Sequence, residues 1–221
     1  CGGQLTPYVL NGHLDHAQPH VRGWTIRLLC DERKVTEETA KLLINRAKIE
    51  ENVEVRTQLA ASARRLPASQ GLPIVRELLK RDEDSNDVFQ PLLLWWALEE
   101  NCGRDPDAVL ELFVSGELWD EPIVKSHITH RLRGVVAAPG TRAALGYCSR
   151  LCELAPSDEH RKLLLKGFEE AFQGRTLANL PEQLVRQINE LGGGSLALRV
   201  RGGDAKALAE ALALVRKEQE G

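Results

Sequence analysis

Residues Asp87–Asn101 read DVFQPLLLWWALEEN, and Leu92 to Leu98 run without a polar break. A surface helix shows an apolar stripe and a polar face, whereas one that is apolar all round is covered all round. The run is far too short to cross a bilayer. The stretch therefore predicts a helix inside a stack, with other helices on both sides.

The rest of the chain supplies those neighbours. Val21, Val55, Phe89 and Ile123 stand 34 residues apart, and each opens a segment of helical period. A fixed period of this length marks a repeat architecture. In the first three segments apolar or small residues follow i, i+4, i+7, i+8: Val21, Thr25, Leu28 and Leu29; Val55, Leu59, Ser62 and Ala63; Phe89, Leu93, Trp96 and Ala97. The fourth slips by a position, through Ile123, Val124, Ile128, Leu132 and Val135. Second helices are predicted at Glu37–Ala47, Leu72–Lys80, Asp105–Val114 and Thr141–Leu154. Thr6–Leu14 reads as the second helix of a truncated pair. The expected fold is all-α: a HEAT-like α-solenoid of about five to six helix pairs. PHVR and VEVR place Arg22 and Arg56 in register, as in HEAT first helices, and the tetratricopeptide pattern is absent.

One continuous domain is expected over 1–221, with regular repeats over about 17–152 and irregular helices over 156–220. In the latter part Ser157 is the expected cap of a helix that stops at Gly174. Pro181–Leu191 and Ser195–Arg201 follow. Asp204 caps a last helix whose Leu208, Leu212 and Val215 are expected to face inward.

Composition narrows the function. The chain of 221 residues is 43% hydrophobic and 28% charged, which suits a folded protein. A net charge of −3 points away from nonspecific nucleic-acid binding, which draws on basic surfaces. The chain opens at Cys1 and contains no Met, so a fragment of a longer protein is expected. Its cysteines are odd in number and irregularly spaced, with no CxxC pair and no CxxCH. Cys148 and Cys152 lie one turn apart; a disulfide inside one helix is geometrically poor, so they read as buried small hydrophobes.

Other residues invite a chemical reading. His13, His16 and His20 cluster around Asp15 as weak zinc or copper candidates; exposed loop histidines are the plain alternative. His127 and His130 share a helix face and read first as half-buried histidines hydrogen-bonded within the stack; the alternative is a polar site with Arg131 and Arg133 on the inner wall of the curved solenoid. Adjacent Trp95 and Trp96 diverge by about 100°, so one is core. The repeat register assigns that place to Trp96 and leaves Trp95 to reach a surface. The Gly192–Gly194 triplet lacks the Lys-Ser/Thr of a phosphate loop. Glu99-Glu100 and Glu169-Glu170 read as solvated acids. No nucleophile–base, HExxH or paired-carboxylate signature occurs, so no catalytic residue is assigned.

Several phrases together resemble one family: HVRGWTIRLLCDE, PLLLWWALEEN, SHITHRLR, APSDEHRKLLLKGFEEAFQGR and GGGSLALRVRGGD. They are similar to the helical mid-region of large bacterial PVC-type haem-binding CxxCH proteins, a family of membrane-bound dehydrogenases related to cytochrome c. The resemblance implies a β-propeller upstream, a haem c domain downstream and a place outside the cytoplasm. It implies a non-catalytic scaffold here, with no cofactor of its own. The expected partners are protein or neighbouring domains of the same chain, with no nucleic acid and no transmembrane segment. Two alternatives remain. One is a HEAT-like DNA glycosylase, with Trp95, Trp119, Asp120, Arg131 and Arg133 as the nearest equivalents of its groove. The other is a stand-alone peptide-binding solenoid.

Overall fold

A computed structural model describes residues 6–171, 180–192, 194, 196–201 and 203–219. All regular structure among them is helical. The chain divides into two compact units, Cys1–Ile128 and Thr129–Gly221.

In the first unit α1 is Pro7–Asn11, α2 Pro19–Leu29, α3 Glu37–Ile49, α4 Val53–Ala63, α5 Ala68–Leu79, α6 Gln90–Arg104 and α7 Pro106–Val114. Side chains set several of the starts. Thr36 Oγ1 accepts from the Thr39 amide ahead of α3, and Glu37 and Glu38 sit on the positive end of its dipole. Asn52 caps α4 and Asp105 caps α7. Asp87 Oδ1 accepts from the amides of Phe89 and Gln90, so the helix expected from Asp87 begins at Gln90.

Packing follows the alternation of the sequence. Helix α4 lies against α2 and α6, while α5 lies against α3 and α7. Helix α1 touches α2 and α3, the place expected of a second helix. The columns buried in all three repeats are Ile26, Ala60 and Leu94, and Leu29, Ala63 and Ala97. The 28/62/96 column does not pack inward throughout: Leu28 and Trp96 are exposed, and only Ser62 is buried. Helix α6 is therefore open along one stripe, with Leu92 38% and Trp96 37% exposed.

A charged ladder runs through the same register. Arg22 Nε donates to Glu50 at 2.8 Å, and 34 residues on Arg56 Nε donates to Asp84 at 2.6 Å. Each arginine also donates through Nη1 to the carbonyls five and six residues before it: Ala17 and His16 for Arg22, Glu51 and Glu50 for Arg56. Both pairs span 28 residues, so each arginine pins the loop beyond the following second helix. Thirty-four residues further on the equivalent positions hold Gln90 and Leu118, both buried, and the side-chain amide of Gln90 has no hydrogen-bond partner among the described residues. Burial alone would raise the Glu50 carboxyl; the Arg22 hydrogen bond, the Asn52 amide and the charges of Arg22 and Arg46 together hold it below the usual carboxylate range.

The one-position slip of the fourth repeat has a local cause. Val124–Ile128 forms a π-helical turn, which admits one extra residue and brings Ile123, Val124 and Ile128 all into the interior.

In the second unit α8 is Thr129–Ala137, α9 Arg142–Leu154, α10 Asp158–Ala171, α11 Glu182–Glu190, α12 Leu196–Arg201 and α13 Ala205–Gln219. Helix α8 packs closely on α10, and α9 packs on α8 and α11. Gly167 makes the first contact so close: a Cβ there would sit 1.5 Å from the carbonyl oxygen of His130. Ser157 Oγ accepts from the His160 amide at the start of α10, as expected. The stop at Gly174 lies outside the described residues. Asp204 caps α13 as expected. The inward face expected of α13 is corrected: Leu208, Leu212 and Val215 are about half exposed, while Ala207 is buried.

Candidate functional site

The first-helix layer of the first unit carries an exposed aromatic face. Thirty-four-residue steps along the sequence align Trp24, Gln58 and Leu92 in one row and Leu28, Ser62 and Trp96 in the next. Because α4 packs against both α2 and α6, these rows run across three adjacent helices. Trp24 is 60% exposed, and the Arg27 guanidinium lies 5.2 Å from its ring centre. Trp96 carries Arg64 at 5.8 Å. Such a cation over an exposed ring contributes about 0.5–1 kcal/mol. It also holds the indole in place and leaves part of the ring open.

A recess of about 250 Å³ adjoins Trp24, lined by His20, Gly23, Arg27, Glu54 and Gln58 among others. Gly23 contributes to its openness, because nothing lies within 4 Å of where its Cβ would be. Several charges around the face are paired. Arg65 meets Asp31 at 3.5 Å, and Glu100 holds Arg64 at 3.4 Å and Arg104 at 2.7 Å. Gln58 donates to Ser62 Oγ at 2.9 Å between the two rows. The face thus sets exposed Trp24, Leu28, Leu92 and Trp96 among arginines of which several are paired with acids.

The residues singled out from sequence divide differently. Trp95 is 6% exposed and packs inside, so its surface role and the core role of Trp96 are exchanged. The reason is the register: the common inward columns are those of Leu94 and Ala97, and Trp95 falls between them on the inner side while Trp96 falls on the outer. Ile26, Ala60 and Leu94 are apolar in every repeat, whereas Leu28, Ser62 and Trp96 are not, and that contrast was the available signal. It would also have found Trp24. Arg133, expected on an interaction surface, is fully buried. His127 is half-buried, and its Nε2 donates to the Ser85 carbonyl at 3.1 Å. His130 and Arg131 are half-buried in α8. Trp95 and His127 belong to the first unit, and His130, Arg131 and Arg133 to the second.

The three clustered histidines have separate partners. His13 Nδ1 donates to the Val9 carbonyl at 2.8 Å, and His16 Nδ1 accepts from the Gln18 amide at 3.1 Å. Their rings stack at 6.3 Å, while His20 turns to Glu54 at 3.7 Å. Among the described residues no group of three or more His, Cys, Asp or Glu side chains is arranged to hold a metal. No helix among them is long and apolar enough to cross a membrane.

Comparison with family models, with curated proteins and with solved structures found no match for this chain.

Proposed function

We propose that this chain is a HEAT-like helical-repeat module that binds protein and carries no catalytic or redox chemistry of its own. The observation that supports this best is the exposed Trp24–Arg27 and Trp96–Arg64 face spanning α2, α4 and α6. Tryptophan and arginine dominate the energetics of protein interfaces, and here both stand on rigid helices with little ordering left to do. The alternation of helix contacts and the repeated Arg22–Glu50 and Arg56–Asp84 pairs support the HEAT-like reading. In line with the family its phrases resemble, the module holds a propeller dehydrogenase and a haem c domain in fixed relation, outside the cytoplasm.

The glycosylase reading has less support. Trp95, Trp119 and Arg133 are buried, and Asp120 pairs with Lys125 at 2.8 Å. Two experiments test the proposal. The purified chain should show no Soret band after incubation with haem. The separately produced propeller module should bind it, with loss of affinity on Trp24→Ala and Trp96→Ala. A bound haem overturns the claim of no catalytic or redox chemistry, and binding indifferent to both tryptophans overturns the assigned face.

A further inference from the structure

The second unit encloses a cation with no acid hydrogen-bonded to it among the described residues. Arg133 is fully buried between α8, α9 and α10, and its Nε, Nη1 and Nη2 have no hydrogen-bond partner among the described residues. The face of the Phe168 ring lies 4.9 Å from the guanidinium carbon. A guanidinium cannot shed its proton, so an uncompensated one in the interior is costly. The groups that reach it are the thiols of Cys148 and Cys152, and a neutral thiol is a weak acceptor. Both thiols are buried, and Cys148 Sγ donates to the Arg133 carbonyl at 3.8 Å.

Cys148 and Cys152 are one turn apart on α9. Residues four apart on a helix hold their Cβ atoms about 5–6 Å apart, whereas a disulfide needs about 3.5–4.5 Å. That span is too wide for an S–S bond, and it suits two sulfurs meeting one ion between them. Tetrahedral zinc needs four ligands, and no third or fourth is at hand among the described residues. Thiolates select soft ions. A monovalent ion on two thiolates leaves one negative charge, and Arg133 carries the one positive charge that balances it.

We propose that Cys148 and Cys152 form a two-coordinate site for a soft monovalent metal ion, Cu(I) or its analogue Ag(I), with Arg133 as the buried counter-charge. Binding replaces two S–H bonds by two metal–sulfur bonds and releases two protons to solvent, with no change of oxidation state. Burial pushes the Cys148 thiol up to about 12, and the adjacent guanidinium works against that rise, easing release of the proton. Burial also raises the Cys152 thiol, against the charges of Arg133 and Arg161 and with that of Glu153.

The test uses the full chain carrying Cys1→Ala, Cys30→Ala and Cys102→Ala, titrated anaerobically with Cu(I) against a chromophoric chelator. The expected result is one equivalent bound, two protons released and a thiolate-to-metal band in the ultraviolet. Cys148→Ser or Cys152→Ser should each abolish retention against the chelator. Arg133→Met should weaken it at least tenfold, with Arg133→Lys restoring most of the loss. Should a serine variant fail to fold, the proton count and stoichiometry of the parent decide. No copper withdrawn from the chelator, one proton released, or affinity unchanged in Arg133→Met overturns the proposal.

Discussion

Arg56→Met removes one member of a buried ion pair and leaves the other behind. The side chains of Arg56 and Asp84 are 5% and 3% exposed. The arginine makes two charge-assisted bonds to the carboxylate and two more to the carbonyls of Glu50 and Glu51. Breaking such a pair from one side costs about 3–5 kcal/mol, because a desolvated charge is left unanswered. Arg22→Met should cost less, about 1–3 kcal/mol. Glu50 keeps Arg46 at 3.6 Å and the Asn52 amide at 3.0 Å. The double variant Arg56→Met, Asp84→Leu should recover most of the loss, since a well-packed apolar pair replaces a buried ion pair at little cost. The equivalent positions one repeat on, Gln90 and Leu118, are both uncharged and buried. Urea denaturation followed by circular dichroism measures all four proteins. A loss below about 1 kcal/mol for Arg56→Met, or a double variant no more stable than the single one, would refute the reasoning.

Other outcomes follow from single features. Trp95→Ala should cost about 3–5 kcal/mol, while Trp24→Ala should change stability by under about 1 kcal/mol; iodide should quench Trp24 and spare Trp95. Gly167→Ala should prevent the close approach of α8 and α10, since its Cβ would meet the His130 carbonyl, and should destabilise the second unit by about 3 kcal/mol or more by overpacking. Glu50 has a folded value below its unfolded one, so its contribution is present above about pH 4.3 and is lost as acid titrates it; Glu50→Gln should flatten that part of the acid-denaturation curve. Burial raises the Cys30 thiol to about 11, so the unfolded chain loses this proton first, and stability should fall from about pH 8.5 upward, less steeply in Cys30→Ala.

The helices were legible because their signals are local. Periodicity placed α3, α5, α7 and α9 within a few residues, and Ser157 and Asp204 were readable as starts because a cap acts within three residues. The in-register arginines were visible too, but their partners were not. Glu50 and Asp84 lie 28 residues away, and nothing local marks an acid as buried. The facing of Trp95 and Trp96 turned on one residue of register, about 100° of rotation, and the chosen column was one that Ser62 interrupts. The face expected of α13 failed for another reason: an amphipathic pattern says which side is apolar, not whether anything covers it. Arg133 was legible only as a charge, and charge alone suggested a surface.

The central claim is that the Trp24–Trp96 face binds protein, and isothermal titration of the chain with the separately produced propeller module tests it most directly. The account predicts saturable binding and a loss of about 2 kcal/mol or more, roughly thirtyfold, in the Trp24→Ala, Trp96→Ala double variant. Absence of binding, or equal affinity in the double variant with its helix content intact, would contradict it.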